Sequence, residues 1–269
     1  MIMISTKISL WKSYLITINA LLQRDFILFQ KSFLTKFIDS AIMVSLNALI
    51  FGYIMPRMGL ESNYGSFLLI GTIASFGFFE IIGKVSIFLA DIEHNRIFSY
   101  MLMLPIPTSL TFCYLAFSWA LSSAIIALIF IPLGKLFLFN QFSFSTIAWG
   151  KFICLFIISN LFFGFFALFL SGILKNMSSI SSLFIRIINP LYGLGCFFYT
   201  WTTVNSFIPI LSYIMLLNPI TYVMEGTRVA MLGQQGFISF WYSFGALCCF
   251  TFLFAVFGII KLKKKLDCL

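Results

Sequence analysis

Long uncharged apolar runs, each long enough to cross a bilayer, alternate with short segments that hold the charges and prolines. A helix of about 20 apolar residues spans the ~30 Å hydrocarbon core. Inside that core every backbone N–H and C=O must be paired within the fold. The chain therefore reads as an all-α, polytopic membrane protein. Only 9% of its 269 residues are charged and its mean hydropathy is +1.05, whereas about a quarter of a soluble domain is charged.

Six transmembrane helices are expected. They are about Phe37–Met55 (closed by Pro56), Ser66–Ala90, Leu110–Leu133, Phe152–Leu174, Leu183–Tyr199 and Phe237–Ile260. Pro190 should kink the fifth, because proline lacks the backbone donor. Ahead of the first, Leu10–Lys31 reads as an N-terminal amphipathic helix. Trp11, Leu15, Ile18, Leu22, Phe26 and Phe29 recur every three or four residues, with Lys12, Asn19, Gln23 and Gln30 opposite. The polar face and the basic Lys12, Arg24 and Lys31 place it in the membrane interface. Residues 1–36 are thus expected as an interfacial segment and 37–269 as a six-span membrane domain.

Trp201–Gly236, between the last two spans, is too apolar for an ordinary loop. Asn218-Pro219 offers a helix start, with Asn as the cap and Pro at the first helical position. Gly233 offers the matching stop. Pro219–Leu232 is therefore expected as a helix, with Glu225 and Arg228 three residues apart on one face. With Phe207–Leu217 before it, the segment reads as short re-entrant helices. Such a geometry needs cover from protein or a cavity.

The most charged interruption is Ala90–Ser109, ADIEHNRIFSYMLMLPIPTS. Asp91, Glu93, His94 and Arg96 fall within six residues. A helical apolar run follows, and Pro105 and Pro107 close it. A simple turn needs no such amphipathic segment, which marks it as a docking element on the cytoplasmic side. Within the second span, Glu80 and Lys84 lie one turn apart in the favourable order. A lone charge at the bilayer centre costs about 3 kcal/mol or more, and a partner lysine that snorkels to the interface reduces that cost. The pair is either a polar position on a substrate path or a structural ion pair.

With both termini in the cytoplasm, Arg57, Lys135, Lys151 and Arg228 fall outside and the rest of the 17 Lys and Arg inside. That asymmetry gives an N-in, C-in orientation. Met1–Thr35 lacks a cleavable signal pattern, so the first span is expected to act as the insertion signal. The net charge of +9 flanks the spans, so a lipid bilayer and not nucleic acid is the expected surroundings.

Several chemistries find no support. The sequence has no G-x-x-x-x-G-K-[ST] for ATP phosphates. Its one histidine, His94, stands without H-E-x-x-H, and its six cysteines form no CxxC, so no metal or disulfide framework is read. No cofactor and no catalytic residues are expected.

The chain resembles the type-2 ABC exporter permeases, the membrane subunits of drug, lipo-oligosaccharide and polysaccharide exporters. Leu217–Gly233, LNPITYVMEGTRVAMLG, is similar to the family pattern of Asn-Pro, a small apolar-aromatic stretch, Glu, then Arg, ahead of the last span. Asp91–Pro105 is similar to the family's loop between spans two and three, although Ile97-Phe98 stands where Gly-Thr is common. The amphipathic start and six-span layout extend the likeness over nearly the whole chain.

The resemblance implies a permease homodimer, or a pair with a related chain, in the bacterial inner membrane. It implies an ABC ATPase subunit as partner, through which ATP drives export of an amphipathic or lipid-linked substrate. It points to Asp91, Glu93, Arg96, Tyr100 and Pro105 as ATPase-docking residues. Asn218, Pro219, Glu225 and Arg228 would belong to an outer gate, where Glu225 and Arg228 either hold the gate or form a plain helix-surface ion pair. The alternative is an ATP-independent channel or secondary carrier, or an intramembrane enzyme on lipid using Glu80.

Overall fold

A computed structural model describes residues 2–59, 64–95, 97–139 and 141–266, with the side chains of 2–11, 94, 95, 97 and 99 left aside. Among the described residues all regular structure is helical. Arg96 and Cys268 lie outside the described residues, as do the side chains of Trp11 and His94.

Helix α1 (Ile2–Asn47) runs for 46 residues and continues through a π-helical stretch, Ala48–Ile54, into α2 (Met55–Arg57). The expected interfacial helix and first span are therefore one helix. Nothing between Lys31 and Phe37 breaks it, since that stretch holds neither glycine nor proline. Pro56 sits in the first turn of α2 and does not end the helix. The chain turns afterwards, at Met58 and Gly59. Of the expected stripe, Ile18, Leu22 and Phe29 pack against the core, whereas Leu15 and Phe26 are exposed. Among the described residues, Leu21, Ser40 and Val44 are the buried residues of α1.

Helix α3 (Tyr64–Ala90) is the centre of the bundle. Its first half is apolar all round, as a helix enclosed by neighbours must be, and from Gly65 to Ser75 every residue but Phe67 is buried. A π-helical turn, Asp91–Asn95, carries it into the short α4 (Ile97–Leu102). Helices α5 (Thr108–Phe137) and α6 (Trp149–Ile173) pack beside it. They approach so closely that a Cβ on Gly164 would run into the Ala116 carbonyl oxygen of α5. Small residues permit such contacts, which van der Waals packing in a bilayer rewards.

The next segment is broken. Helix α7 (Ile180–Leu183), a π-helical turn (Phe184–Ile188) and α8 (Asn189–Gly193) form one helical run. Pro190 stands at the start of α8, beside the opened ladder where its missing N–H costs least. The run ends at Gly193, so the expected fifth span through Tyr199 stops short. Helices α9 (Trp201–Phe207), α10 (Pro209–Met215) and α11 (Pro219–Leu232) follow. Helix α12 (Phe240–Leu266) closes the chain and packs along α6, with Phe254 edge-on to Phe162 and Phe166.

Among the described residues, five helical stretches are long and apolar enough to cross a membrane: Lys12–Arg57, Tyr64–Glu93, Thr108–Phe137, Trp149–Ile173 and Phe240–Leu266.

Candidate functional site

Helix α11 begins as its residues dictate. Asn218 is the cap: its side-chain oxygen accepts from the Ile220 N–H at 3.0 Å, and Pro219 stands in the first turn. The Asn218 amide also donates to the Leu191 carbonyl at 2.6 Å, which ties this start to α8. At the far end Gly233 takes a φ of 105° and ends the helix.

Glu225 and Arg228 are both fully buried. They are not the helix-surface ion pair that their spacing allows. The Glu225 carboxylate accepts from the Trp201 N–H and the Ile238 N–H, each at 3.0 Å. The Arg228 guanidinium donates to the carbonyls of Cys196, Phe197 and Tyr199. Its carbon lies 3.6 Å from the centre of the Phe67 ring on α3, a cation–π contact. One turn of α11 thus grips residues 196–201 and the strand of chain leading to α12.

The grip holds the stretch that follows the early end of the fifth span. The chain leaves the helix at Gly193, and Cys196 takes a φ of 60°, a conformation uncommon outside glycine. Hydrogen bonds to charged groups are about twice as strong as neutral ones, enough to hold that turn.

A second polar centre lies nearer the Asp91 end of α3. Glu80 and Lys84 stand 3.7 Å apart, but Lys36 of α1 is closer to the carboxylate, at 3.1 Å. Lys84 also donates to the Ser122 hydroxyl of α5 at 2.7 Å. Glu80 is thus the shared anion of two lysines. On the same face of α1, Asp25 pairs with Arg24 at 2.7 Å and accepts from the Tyr114 and Ser118 hydroxyls, each at 2.6 Å. Lys36 and Asp25 carry a faint signal in the sequence: eleven residues is about three helical turns, which puts them on one face.

A cavity of about 480 Å³ connects these groups. Arg24, Asp25, Lys36, Lys84 and Asp91 line it together with Phe29, Phe88 and Trp119. Charged heads and aromatic walls in one cleft suit an amphiphile. Among the described residues no group of three or more His, Cys, Asp or Glu could hold a metal ion.

Of the described residues expected to dock an ATPase, Asp91 lines this cavity. Asp91 accepts from the Phe98 N–H at 2.7 Å and so fixes the start of α4. Phe98 and Met101 face inward, while Tyr100, Met103 and Pro105 are exposed. Glu93 accepts from the Met177 N–H at 2.9 Å, which joins this segment to the turn between α6 and α7. Lys265, near the end of α12, donates to the Ser171 carbonyl in the last turn of α6 and to the Leu174 carbonyl just after it.

Residues 17–232 match the sequence model of the ABC-2 type transporter family. No curated protein matches the chain.

Proposed function

This chain belongs to the ABC-2 type transporter family, and from that premise we propose that it is the permease subunit of an exporter powered by a separate ATPase chain. It is a multi-pass membrane component of a transporter. The finer reading adds a permease homodimer, the bacterial inner membrane and an N-in, C-in orientation. The Asp91 end of the bundle then faces the cytoplasm and the Tyr64 end the outside. The helical run 180–193 and the short helices after it supply a sixth, broken crossing, with α9, α10 and α11 re-entrant.

The observation that carries this reading is the continuity of α3 with the docking segment. Helix α3 lines the charged cavity through Lys84 and Phe88 and then runs without a gap through Asp91–Asn95 towards α4. A displacement of the exposed Tyr100–Met103 surface by an ATPase would move the cavity wall directly. The cargo in this reading is an amphipathic or lipid-linked molecule. Glu80 is already shared by two lysines, so it is not the lone titratable carboxylate that a proton-coupled carrier or a lipid hydrolase would want.

Co-purification from native membranes after cross-linking tests the reading. An ATPase chain should accompany the wild type and be lost from a correctly inserted Tyr100→Glu, Met103→Glu variant. If cross-linking recovers no ATPase with the wild type, the reading fails.

A further inference from the structure

Lys36, Lys84 and Glu80 do not balance in charge. Two ammonium groups share one carboxylate, at 3.1 and 3.7 Å. Both lysines line the cleft of about 480 Å³ between α1, α3 and α5. The other carboxylates of its lining already hold donors. Asp25 pairs with Arg24 at 2.7 Å and accepts from the Tyr114 and Ser118 hydroxyls. Asp91 stands seven residues beyond Lys84, about 10 Å along the helix, and accepts from the Phe98 N–H. Among the described residues, one positive charge of the Lys36–Glu80–Lys84 group is thus left without an anion of its own. The Lys36 and Lys84 side chains are only 27% and 16% exposed, on stretches apolar enough to cross a membrane. A charge so placed is costly without a partner, and a bound anion removes that cost.

The open hydrogen-bond donors select the same class of ligand. An ammonium has three N–H bonds. Lys36 gives one to Glu80, and Lys84 gives one to the Ser122 hydroxyl while it faces Glu80 with another. Arg24 turns Nε and Nη2 to Asp25, which leaves Nη1 without a partner among the described residues. The lining hydroxyls already donate: Ser32 to the Phe29 carbonyl, Ser118 to Asp25 and Ser122 to the Trp119 carbonyl. A neutral or cationic group would leave the excess charge in place. A phosphate diester carries one negative charge and oxygen acceptors for all three cations.

The opening of the cleft decides where that phosphate comes from. Leu28 and Ile87 line it and are 56% and 71% exposed. Exposed aliphatic residues on membrane-spanning helices face acyl chains, so the cleft opens sideways into the bilayer. From Tyr64 to Lys84 helix α3 rises about 30 Å, the thickness of the hydrocarbon core. Lys84 therefore stands at the headgroup level of one leaflet, and Lys36 and Arg24 can reach the same level along their flexible stems.

We propose that this cleft holds the phosphate of an anionic membrane phospholipid as a resident ligand. Lys36, Lys84 and Arg24 surround the phosphate, and the acyl chains leave past Leu28 and Ile87. The lipid is a component of the folded bundle and not its cargo, so the site stands whether or not the permease reading does.

The test is native mass spectrometry and thermal unfolding of the purified full chain in a phosphate-free detergent. The probes are phosphatidylglycerol, phosphatidylcholine and diacylglycerol with matched chains, then oleate and inorganic phosphate. Phosphatidylglycerol should be retained as a one-to-one adduct and should raise the thermal midpoint more than any other probe. Its affinity should fall about tenfold in Lys36→Gln and in Arg24→Gln, the loss of one charged hydrogen bond. Arg24→Gln leaves Asp25 its two hydroxyl donors, so it keeps the test decisive if Lys36→Gln unsettles Glu80. Lys175→Gln, at an exposed position outside the cleft, should change nothing. Equal retention of phosphatidylcholine, diacylglycerol or oleate would overturn the proposal, as would equal stabilisation by inorganic phosphate alone. So would retention that neither cleft variant lowers, or an equal fall in Lys175→Gln. None of these outcomes depends on recovery of an ATPase, so the two readings fail separately.

Discussion

Glu225 and Arg228, three residues apart on α11, hold one turn of chain by its opposite polarities. The carboxylate takes the Trp201 N–H, and the guanidinium takes the carbonyls of Cys196, Phe197 and Tyr199. A buried hydrogen-bond group stripped of its partner costs about 1–3 kcal/mol. Glu225→Gln sets an amide N–H₂ against one of two backbone donors and should lower the thermal midpoint in detergent. Arg228→Leu should lower it further, since it strands three carbonyls. Arg228→Lys should not restore it, because an ammonium lacks the planar fork that spans them.

The shared carboxylate makes a different prediction. Glu80→Gln takes from Lys36 and Lys84 the carboxylate they share and should lower the thermal midpoint in detergent. The double variant Glu80→Gln, Lys36→Met should recover part of that loss. A double-mutant cycle on thermal stability measures the coupling. Strict additivity would show that the two side chains do not act together.

Packing of α5 on α6 depends on the absence of one Cβ. Gly164→Ala must push α6 off the Ala116 carbonyl, and overpacking of this kind costs about 1–3 kcal/mol. Gly150→Ala, on the same helix with open space around it, should be neutral or slightly stabilising. Thermal midpoints of the two variants, measured side by side, separate the packing effect from helix propensity.

At the Asp91 end, Glu93→Ala should release the Met177 N–H without unfolding the bundle. Hydrogen exchange at that amide should quicken, while exchange along α3 between Gly65 and Phe78 stays slow.

What the sequence disclosed follows from how far each signal travels. The bounds of α11 were legible because Asn218-Pro219 and Gly233 act within their own turns. The four long apolar helices from α3 onward were legible for the same reason, since length and apolarity are local. The long α1 was divided into two because a change from amphipathic to apolar composition looks like a boundary, although no residue there breaks a helix. Glu80 and Lys84 were visible as a pair, but Lys36 lies 44 residues away from its carboxylate, and nothing local announces it. Glu225 and Arg228 looked like an ion pair because spacing shows which residues share a face. It does not show what faces them. The same blindness carried the fifth span to Tyr199, since the guanidinium that holds this stretch lies 32 residues beyond Cys196.

The clasp around residues 196–201 also orders events during synthesis. Arg228 follows Cys196 by 32 residues, and at about 5–20 residues per second the ribosome takes a few seconds to deliver it. Until then the carbonyls of the turn have no partner in the chain and must stay in contact with water or the insertion machinery. The Ile238 N–H arrives later still, just ahead of α12. Closure of this end of the bundle is therefore a late step in biogenesis, and a ribosome stalled before residue 225 would hold an open, hydrated intermediate.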